Sequence, residues 1–433
     1  MATTPMTHSA RAADGGAPSH ASESGDLASR YGDVRQMTER LAAPLSAEDQ
    51  TVQSMADVSP TKWHRAHVTW FFETFLLTRS LPGYRPYHAA YGYLFNSYYE
   101  AVGARYPRSA RGLVSRPTVD DITAYRCYVD EHMGALLGSP LAEQTRFLVE
   151  LGLQHEQQHQ ELLVMDIKHV LSMSPLDPSY AKATPRSHDE LPLGTCGWIA
   201  HPGGDAHIGH DGTGFAFDNE GPRHVVRLPP FELADRAVTC GEWMEFIADD
   251  GYRRPELWLS DGWATVTGQG WTAPLYWRDE GGDWSVFTLA GRTRVDLAEP
   301  VCHVSYYEAD AFARWSRARL PTEFEWEAVA AKRPLGGRLL DPDLPHPQPQ
   351  RAPMLHGDVW VWTASAYLPY PGFRPWDGAV GEYNGKFMVN QHVLRGGSCA
   401  TPDGHLRSTY RNFFPPAARW PFTGVRLARD EGK

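Results

Sequence analysis

Two histidines four residues apart are the strongest chemical signal in this chain of 433 residues. His155 and His159 bound the run HEQQH inside a long stretch of helical character. Residues at this spacing lie on one face of a helix, so both imidazoles can reach one metal ion. The same run also matches the H-E-x-x-H pattern of zinc proteases, in which Glu156 would act as general base. A third ligand must decide between these interpretations.

His67 is the candidate third ligand. It lies in the run WHRAH on an earlier predicted helix, and the core of a helical bundle is where ligands from facing helices converge. Three neutral imidazoles without an obligatory carboxylate leave adjacent positions of an octahedral ion open for substrate and oxygen. The set therefore favours iron(II), Fe²⁺, over zinc. We expect His64 to point to solvent, and Glu156 either to hydrogen-bond a ligand histidine or to face solvent.

Four helices are expected to position these histidines. Helical patterns occur in the segments MTERLAAPL, SPTKWHRAHVTWFFETFLLTR, VDDITAYRCYVDEHMGALLG and LAEQTRFLVELGLQHEQQHQELLVMDIKHVLSM. Ser59 with Pro60 fits an N-cap followed by proline at the first helical position, and Thr118 with Asp121 fits a capping box. Residues 26–174 are therefore predicted to form a helical bundle that carries the metal site.

The sequence changes character after this bundle. Residues 175–193, PLDPSYAKATPRSHDELPL, are rich in proline and polar residues and predict a linker. Residues 194–433 are dense in glycine, proline and tryptophan, with short strand-like runs such as HVVRLPPFEL and VLRGGS. Two helices are expected there, in CGEWMEFIADD and SYYEADAFARWSRA. We therefore predict an α+β chain in which a helical bundle precedes an irregular α+β domain with long loops.

Bulk properties restrict the partners and the compartment. A length of 433 residues exceeds one ordinary hydrophobic core and favours two or three domains. The formal net charge of -11 and the lack of any Lys/Arg-rich run argue against nucleic acid as a partner. No apolar stretch is long enough to span a membrane, and we expect residues 1–25 to be a disordered tail on a cytoplasmic protein. The five cysteines form no CxxC pair and are expected to be reduced thiols.

Several segments of the chain resemble the sulfoxide synthases of ergothioneine biosynthesis. SPTKWHRAHVTWFFETF, LFNSYYEAVG and LGLQHEQQHQELL resemble the DinB-type four-helix bundle of those enzymes. GGDAHIGH, FDNEGPRHVVRLPPFELADRAVT, RLPTEFEWEAVA, GDVWVWTASAYLPYPGF, VLRGGS and TGVRLAR resemble their formylglycine-generating-enzyme-like domain, which has a C-type-lectin-like fold. The resemblance covers roughly residues 30 to 430. It implies that His67, His155 and His159 bind Fe²⁺ and that Gln158 contacts the imidazole of the substrate.

The resemblance also implies a reaction and its proton donor. The family joins hercynine, which is trimethylated histidine, to cysteine or gamma-glutamylcysteine with dioxygen and leaves a sulfoxide. The sulfur donor would bind as the thiolate, and a tyrosine hydroxyl would donate a proton or hydrogen atom during C–S bond formation. One branch of the family uses tandem tyrosines in the first domain, and the run NSYYE implies Tyr98 and Tyr99 as donor and support. Actinobacterial members place this tyrosine in a loop around PGF, and Tyr383 cannot be placed in the same register.

A second segment implies how the substrates bind. The run YRNFF matches the betaine-binding segment of the family, and Asn412 and Phe413 would contact hercynine, whose fixed positive charge suits aromatic faces and amide oxygens. Phe414 stands where users of gamma-glutamylcysteine tend to have an aspartate, which favours free cysteine as the thiol. A guanidinium would bind the carboxylate of that thiol. The candidates are Arg105, Arg108, Arg111 and Arg116, and the sequence does not choose among them.

Four other functions compete with this interpretation. A copper enzyme of the formylglycine-generating type would need a cysteine pair after RGGS, where the chain has only Cys399, expected to be a buried free thiol. A selenoneine synthase, which joins a selenosugar to hercynine, is not separated by sequence. A metal-dependent thiol transferase or binding module would need the histidines but neither dioxygen nor the second domain. A metalloprotease fits least, because the residues around the two histidines continue the family pattern.

Overall fold

The computed structural model describes residues 20–181, 196–343, 345–350 and 352–431. Residues 1–19 of the expected tail lie outside this part of the chain, whereas residues 20–25 already belong to helix α1, which begins at His20. Residues 182–193 of the expected linker also lie outside it. Tyr180, in the described part of that linker, is buried, and its hydroxyl donates to the carbonyl of Leu41. This end of the linker therefore packs on helix α1.

The first half of the chain is helical. Its helices are α1 (His20–Ala42), α2 (Thr61–Phe72), α3 (Thr78–Ser80), α4 (Tyr91–Phe95), α5 (Val119–Leu137) and α6 (Glu143–Ser172). A π-helical turn, Glu73–Leu77, joins α2 to α3. The long helices α1, α2, α5 and α6 overlap the four predicted segments, and they pack on one another. Their shared core includes Trp70, Phe71 and Phe72, so the predicted helical bundle is confirmed.

The two predicted helix starts have different outcomes. Helix α5 begins with the expected capping box, in which the Thr118 hydroxyl accepts from the amide of Asp121 and the Asp121 carboxylate accepts from the amide of Thr118. Helix α2 has Pro60 at its N-cap and no side-chain cap bond, so the predicted cap by Ser59 is wrong. The Ser59 amide instead donates to Asp166 of α6 (2.8 Å). Ser59 therefore ties α2 to α6.

The second half mixes short helices with short strands. Its helices are α7 (Cys240–Ala248), α8 (Ser260–Gln269), α9 (Tyr306–Trp315), α10 (Glu323–Ala330) and α11 (Glu382–Gly385). Its strands are β1 (Trp198–His201), β2 (Gly204–Ile208), β3 (His224–Leu228), β4 (Phe231–Ala234), β5 (Trp277–Asp279), β6 (Trp284–Thr288), β7 (Gly291–Arg294), β8 (Trp360–Ala366), β9 (His392–Arg395), β10 (Asn412–Phe414), β11 (Thr423–Gly424) and β12 (Ala428–Asp430). They form sheets of order β1-β4-β12, β10-β9-β8-β11, β2-β3 and β5-β6-β7. The predicted irregular α+β domain is confirmed.

Short helices of this half were only partly predictable. Helices α7 and α9 are the two predicted ones, whereas α8 and α10 were not predicted. Helix α10 has eight residues, a length at which apolar spacing does not separate a helix from a strand. Across both halves, the described residues include no helix with the length and apolar composition that crossing a membrane requires.

Helix α6 belongs to the bundle and also packs against the second half. Its Glu161 is buried and accepts hydrogen bonds from the Trp360 indole (2.6 Å) and from the hydroxyls of Ser398 (2.7 Å) and Thr401 (2.9 Å). Three neutral donors therefore satisfy this buried carboxyl group. The helix that carries the histidine pair is therefore fixed at the contact between the two halves.

Candidate metal centre and substrate cavity

The structure brings the three histidines together. His67 projects from α2, and His155 and His159 project from α6, one helical turn apart. One ring nitrogen of each lies within 4.8 Å of the corresponding atoms of the other two. Elsewhere in the described chain, no other group of three His, Cys, Asp or Glu side chains comes this close together. All three rings line one cavity, so a metal ion held by them would be accessible to small molecules.

His67 is held by contacts on its ring and at its edge. The ring stacks on Trp63 and Trp70, with centroid separations of 4.6 and 5.6 Å. Its Nδ1 lies 2.6 Å from the carbonyl oxygen of Phe95. Because a carbonyl oxygen only accepts, Nδ1 carries the proton and donates it. The Nε2 lone pair is then free, as metal binding requires.

Burial keeps the three rings neutral. It lowers the pKa of His155 to about 3, and it lowers the pKa of His67 and His159 well below the usual range, with the neighbouring histidines adding to the effect. Nδ1 of His155 is buried and has no hydrogen-bond partner among the described residues. A ring with an unpartnered buried nitrogen fits a position built for an ion. Neutral imidazoles are the form of histidine that binds divalent transition metals.

His64 is buried, so the expectation that it points to solvent is wrong. Its Nδ1 lies 2.9 Å from Nδ1 of His159, and its Nε2 lies 3.0 Å from the carboxylate of Asp166. The spacing of three residues between His64 and His67 places both on one face of α2. That spacing was the available sequence signal, but burial of the face depends on how α2 packs against α6.

Glu156 has its hydrogen bonds inside the bundle. Its buried carboxylate accepts from Arg35 (2.9 Å), from Arg126 (3.1 Å) and from the hydroxyl of Thr38 (2.7 Å). Burial alone raises the pKa of Glu156, but the two guanidinium groups lower it below its ordinary value. Both expectations for this residue, a bond to a ligand histidine or exposure to solvent, are therefore wrong. A carboxylate engaged in this way cannot serve as the general base of a metalloprotease.

The cavity beside the histidines has a volume of about 290 Å³ and is lined by both halves of the chain. The first half contributes side chains from α2, α6 and the segment 97–111. The second half contributes Tyr383, Phe387, Gln391, Tyr410, Asn412, Phe413, Phe414, Pro415, Trp420 and Pro421. The volume suits small-molecule substrates, and a position between two structural units is typical of binding sites.

Four tyrosines line this cavity, namely Tyr98, Tyr99, Tyr383 and Tyr410. The hydroxyl of Tyr98 accepts a hydrogen bond from Arg108 (2.8 Å), and its ring centroid lies 5.9 Å from that of Tyr383. Burial raises the pKa of Tyr99 and of Tyr383, so both keep their protons at neutral pH. The structure thus places the predicted pair at the cavity and adds Tyr383. That residue lies in α11, a helix of four residues that no apolar pattern could have indicated.

The other residues implied for substrate binding also line the cavity. Gln158, Asn412, Phe413 and Phe414 all line the cavity. Residues 412–414 form β10, which pairs with β9 in antiparallel register. The side-chain amide of Gln158 donates to the hydroxyl of Tyr410 (3.3 Å), and Phe414 packs edge-on against Trp420 at 5.6 Å. Trp420 is a wall residue that the sequence did not single out, since RWPF matches no binding motif.

Two of the four candidate arginines reach the cavity. Arg108 and Arg111 line it, because both lie on a 3₁₀ turn, Arg108–Leu113, where residues three apart share one side. Arg105 and Arg116 are exposed and do not line it. Arg105 donates to the carbonyl of Ser97, and Arg116 donates to the carbonyl of the residue before it. The structure therefore does not support Arg105 or Arg116 as substrate ligands.

Arg111 is a buried cation with no carboxylate partner among the described residues. It is 4% exposed, lies 3.3 Å from the ring centroid of Trp63, and donates to the hydroxyls of Ser59 (2.9 Å) and Ser97 (3.1 Å). Burial lowers its pKa to about 9. A buried guanidinium held only by neutral groups is destabilising unless an anion joins it. This side of the cavity is therefore suited to an anionic group.

Known proteins resemble the chain over both halves. A family model described as sulfatase-modifying factor enzyme 1-like domain matches residues 189–341 and 353–431. Hercynine oxygenase of Mycolicibacterium smegmatis is 32% identical over 409 residues, covering 86% of this chain and 91% of that protein. Hercynine oxygenase of Mycobacterium tuberculosis is 39% identical over 242 residues, covering 50% of this chain and 56% of that protein.

Two further similarities cover about a third and about half of the chain. Formylglycine-generating enzyme of Streptomyces coelicolor is 34% identical over 177 residues, covering 37% of this chain and 55% of that protein. The solved structure of PvdO from Pseudomonas aeruginosa has a TM-score of 0.37 at 21% identity, covering 54% of this chain and 94% of that chain.

The similarity to the Mycolicibacterium enzyme extends over most of the chain, well beyond the region of the family model. Ergothioneine biosynthesis protein 1 of Schizosaccharomyces pombe is also similar, at 26% identity over 232 residues. The order of a helical half and a sulfatase-modifying-factor-like domain agrees with the resemblance seen in the sequence. The chain therefore belongs to the hercynine oxygenase family of ergothioneine biosynthesis, a family of oxidoreductases.

Proposed function

We propose that this enzyme uses iron(II) and dioxygen to join the sulfur of a cysteine-type thiol to the imidazole of hercynine, leaving a sulfoxide. The observation that carries the proposal is the convergence of His67, His155 and His159 on a cavity lined by both halves of the chain. The relatives named hercynine oxygenase support hercynine as the second substrate.

The histidine nitrogens are a donor set that suits iron(II). They are neutral, and no carboxylate belongs to the converging group within the described residues. A metal ion held by three imidazoles alone would keep coordination positions for substrate and dioxygen. Iron(II) bound there would supply one-electron chemistry between thiolate and dioxygen. The hydrogen bonds of His67 to Phe95 and of His159 to His64 engage Nδ1 of each ligand ring and leave its Nε2 lone pair for the metal ion.

The second-half wall suits the betaine. Phe413, Phe414 and Trp420 contribute aromatic side chains to the cavity, and Asn412 contributes an amide. Gln158 adds a second amide from α6 of the first half. A trimethylammonium group has no proton to donate, so aromatic faces attract it through the cation–π interaction. The two amides can hydrogen-bond the imidazole and the carboxylate of the same molecule. We therefore place hercynine against this wall.

The first-half wall suits the carboxylate of the thiol. Arg108 and Arg111 line the cavity from one 3₁₀ turn, and guanidinium groups match a carboxylate in charge and geometry. Phe414 offers no carboxylate to a glutamyl amine, so free cysteine fits better than gamma-glutamylcysteine. A selenosugar would leave the buried charge of Arg111 uncompensated, which favours the thiol over the selenium donor.

A tyrosine hydroxyl supplies the proton in this proposal. Tyr98 accepts a hydrogen bond from Arg108 (2.8 Å), and that cation would stabilise the phenolate left after proton transfer. Tyr99 packs against Phe75 with a centroid separation of 5.1 Å and supports the segment. Tyr383 is the alternative donor, because it lines the same cavity across from Tyr98.

One assay with several donors tests the proposal. The full-length protein is reconstituted anaerobically with iron(II) and incubated with hercynine and one of three donors: cysteine, gamma-glutamylcysteine or a selenosugar. Each reaction is run with and without dioxygen, and the products are identified by mass spectrometry. We expect a sulfoxide of hercynine and cysteine that forms only with dioxygen. If hercynine reacted with the selenosugar and with neither thiol, the enzyme would be a selenoneine synthase. Turnover without dioxygen would make it a thiol transferase.

A further inference from the structure

A chain of hydrogen bonds lies behind one of the three histidines. Nε2 of His64 is 3.0 Å from the carboxylate of Asp166, and Nδ1 of His64 is 2.9 Å from Nδ1 of His159. His64 and Asp166 are each 3% exposed. Asp166 follows His159 by seven residues on α6, which is two helical turns along the same face. Helix geometry therefore places the carboxylate where a side chain from α2 can bridge it to His159.

The partners of Asp166 determine where the protons of this chain lie. The Ser59 amide (2.8 Å) and the Trp420 indole (3.2 Å) can only donate, so both carboxylate oxygens of Asp166 accept. His64 must then carry its proton on Nε2, which faces that carboxylate. In a neutral imidazole the other nitrogen is an acceptor. Nδ1 of His64 therefore receives the Nδ1 proton of His159, and the Nε2 lone pair of His159 stays free.

The second half of the molecule also contributes to this series of hydrogen bonds. Trp420 donates to Asp166 and also packs edge-on against Phe414, with ring centroids 5.6 Å apart. Both aromatic residues line the cavity. The aromatic residues of the cavity are thus connected to His159 through Asp166 and His64. Asp166 and His64 each have a defined hydrogen-bond partner on both sides.

We infer that His64 and Asp166 are positioning residues for the metal centre. Asp166 fixes the tautomer of His64, and His64 fixes the ring orientation and the proton of His159 so that its Nε2 lone pair faces the cavity. A carboxylate commonly stands directly behind a ligand histidine and makes it a better donor. Here an imidazole is interposed between the two. The inference rests on the proposed function in one respect, that His159 binds a metal ion.

Metal affinity measured without substrates tests the inference. The full-length protein and its variants are titrated anaerobically with iron(II) against a competing chelator, and the visible spectrum is recorded with cobalt(II). His64→Leu removes the acceptor for His159 and should weaken metal affinity roughly 10–100-fold. Asp166→Asn should also weaken it, because a neutral amide no longer fixes the proton on Nε2 of His64. His64→Asn puts an amide oxygen near the place of Nδ1, and should restore most of the affinity and the cobalt spectrum.

His169→Asn is the matched control. His169 lies on the same helix, α6, and its Nδ1 is bonded to the hydroxyl of Ser54 (2.7 Å) outside the cavity. It should keep the wild-type affinity and cobalt spectrum. Circular dichroism is used to verify folding, and if His64→Leu does not fold, Asp166→Asn carries the test.

The outcomes separate this inference from the proposed function. Wild-type affinity in both His64→Leu and Asp166→Asn would overturn the inference and leave the proposed function intact. Complete loss of metal in His64→Asn would also overturn it, because His64 would then be a ligand itself. A wild-type protein that binds no transition metal would refute the proposed function together with the inference.

Discussion

The metal-binding end of the cavity and its tyrosine rim are built in different ways. The three histidines lie on two long helices of one half, and the contacts of their rings with Phe95, Trp63 and His64 lie in that half. The tyrosine rim consists of residues 97–103 from the first half and residues 382–387 from the second. Glu382 accepts from two amides of the first segment (2.9 and 3.0 Å), and Lys386 donates to the carbonyl of Tyr98 (2.6 Å).

This difference separates two functions of one cavity. The position of the histidines depends on helix packing in the bundle, whereas the position of the tyrosines depends on how the two halves dock. We therefore expect changes among the histidines to remove metal and all turnover. Changes in the tyrosine rim should alter the product or the rate while the metal stays bound.

His155→Ala should have the largest effect, because it removes one of the three proposed ligands. We expect loss of bound iron and of all turnover. Metal analysis after anaerobic loading, together with the product assay, measures both. His169→Ala, on the same helix but outside the cavity, is the control and should keep both. Wild-type iron content in His155→Ala would show that the ligand set is wrong.

Glu156→Gln tests whether the bundle around the histidines depends on its buried ion-pair cluster. The variant leaves Arg35 and Arg126 without their shared buried carboxylate. Removing one partner of a buried pair costs about 3–5 kcal/mol, whereas exposed pairs contribute about 0–1 kcal/mol. The free energy of unfolding, from urea titration, should therefore fall far more than in Glu150→Gln, whose partner Arg30 is partly exposed. An equal fall in the free energy of unfolding in the two variants would show that the bundle does not depend on the buried cluster.

Arg111→Met should weaken binding of the thiol. A hydrogen bond to a charged group contributes about 1.5–3 kcal/mol, so KM for cysteine should rise roughly 10- to 100-fold. KM for hercynine should change little, because the proposal places hercynine against the second-half wall. Arg116→Met, at an exposed position outside the cavity, is the control. An unchanged KM for cysteine would show that Arg111 does not bind the carboxylate of the thiol, and it would favour a donor without a carboxylate.

Replacing single tyrosines by phenylalanine should change the product rather than stop the reaction. In Tyr98→Phe or Tyr99→Phe we expect less C–S bond formation and more oxidation of the sulfur donor, with unchanged iron content. The ratio of the two products by mass spectrometry is the measurement, and Tyr383→Phe is the comparison from the other half. If only Tyr383→Phe shifts the ratio, the donor lies in the second half.

Glu382→Ala should have the smallest effect. It removes two exposed hydrogen bonds that hold residues 97–103, and each contributes about 0.5–1.5 kcal/mol. We expect kcat to fall several-fold with iron content and KM for cysteine unchanged. Asp377→Ala, exposed and close in sequence, is the control. A loss of iron in Glu382→Ala would show that the rim and the metal centre are coupled.

Helical periodicity explains what could be predicted from the sequence. The four long helices repeat apolar residues over several turns, and the spacing of His155 and His159 places both on one face. Their convergence with His67 followed once a bundle was assumed. These features depend on local spacing, which a sequence displays directly.

The remaining site features depend on tertiary contacts. His64 is buried because α2 packs its face against α6, and Glu156 is buried because α1 and α5 supply its cations. Arg111 faces the cavity and Arg116 does not, since a 3₁₀ turn ends between them. Tyr383 reaches the cavity only through docking of α11. The spacing of residues along the sequence does not show which helices and loops pack together, so these positions could not be predicted from it.

Anomalous X-ray diffraction at the iron absorption edge, on crystals loaded anaerobically with iron(II), would locate the metal directly. We expect one strong peak at the point where the nitrogens of His67, His155 and His159 converge, with its open side toward the cavity. A peak bound by other residues, or no peak beside these three rings, would contradict the proposed metal centre and the chemistry built on it.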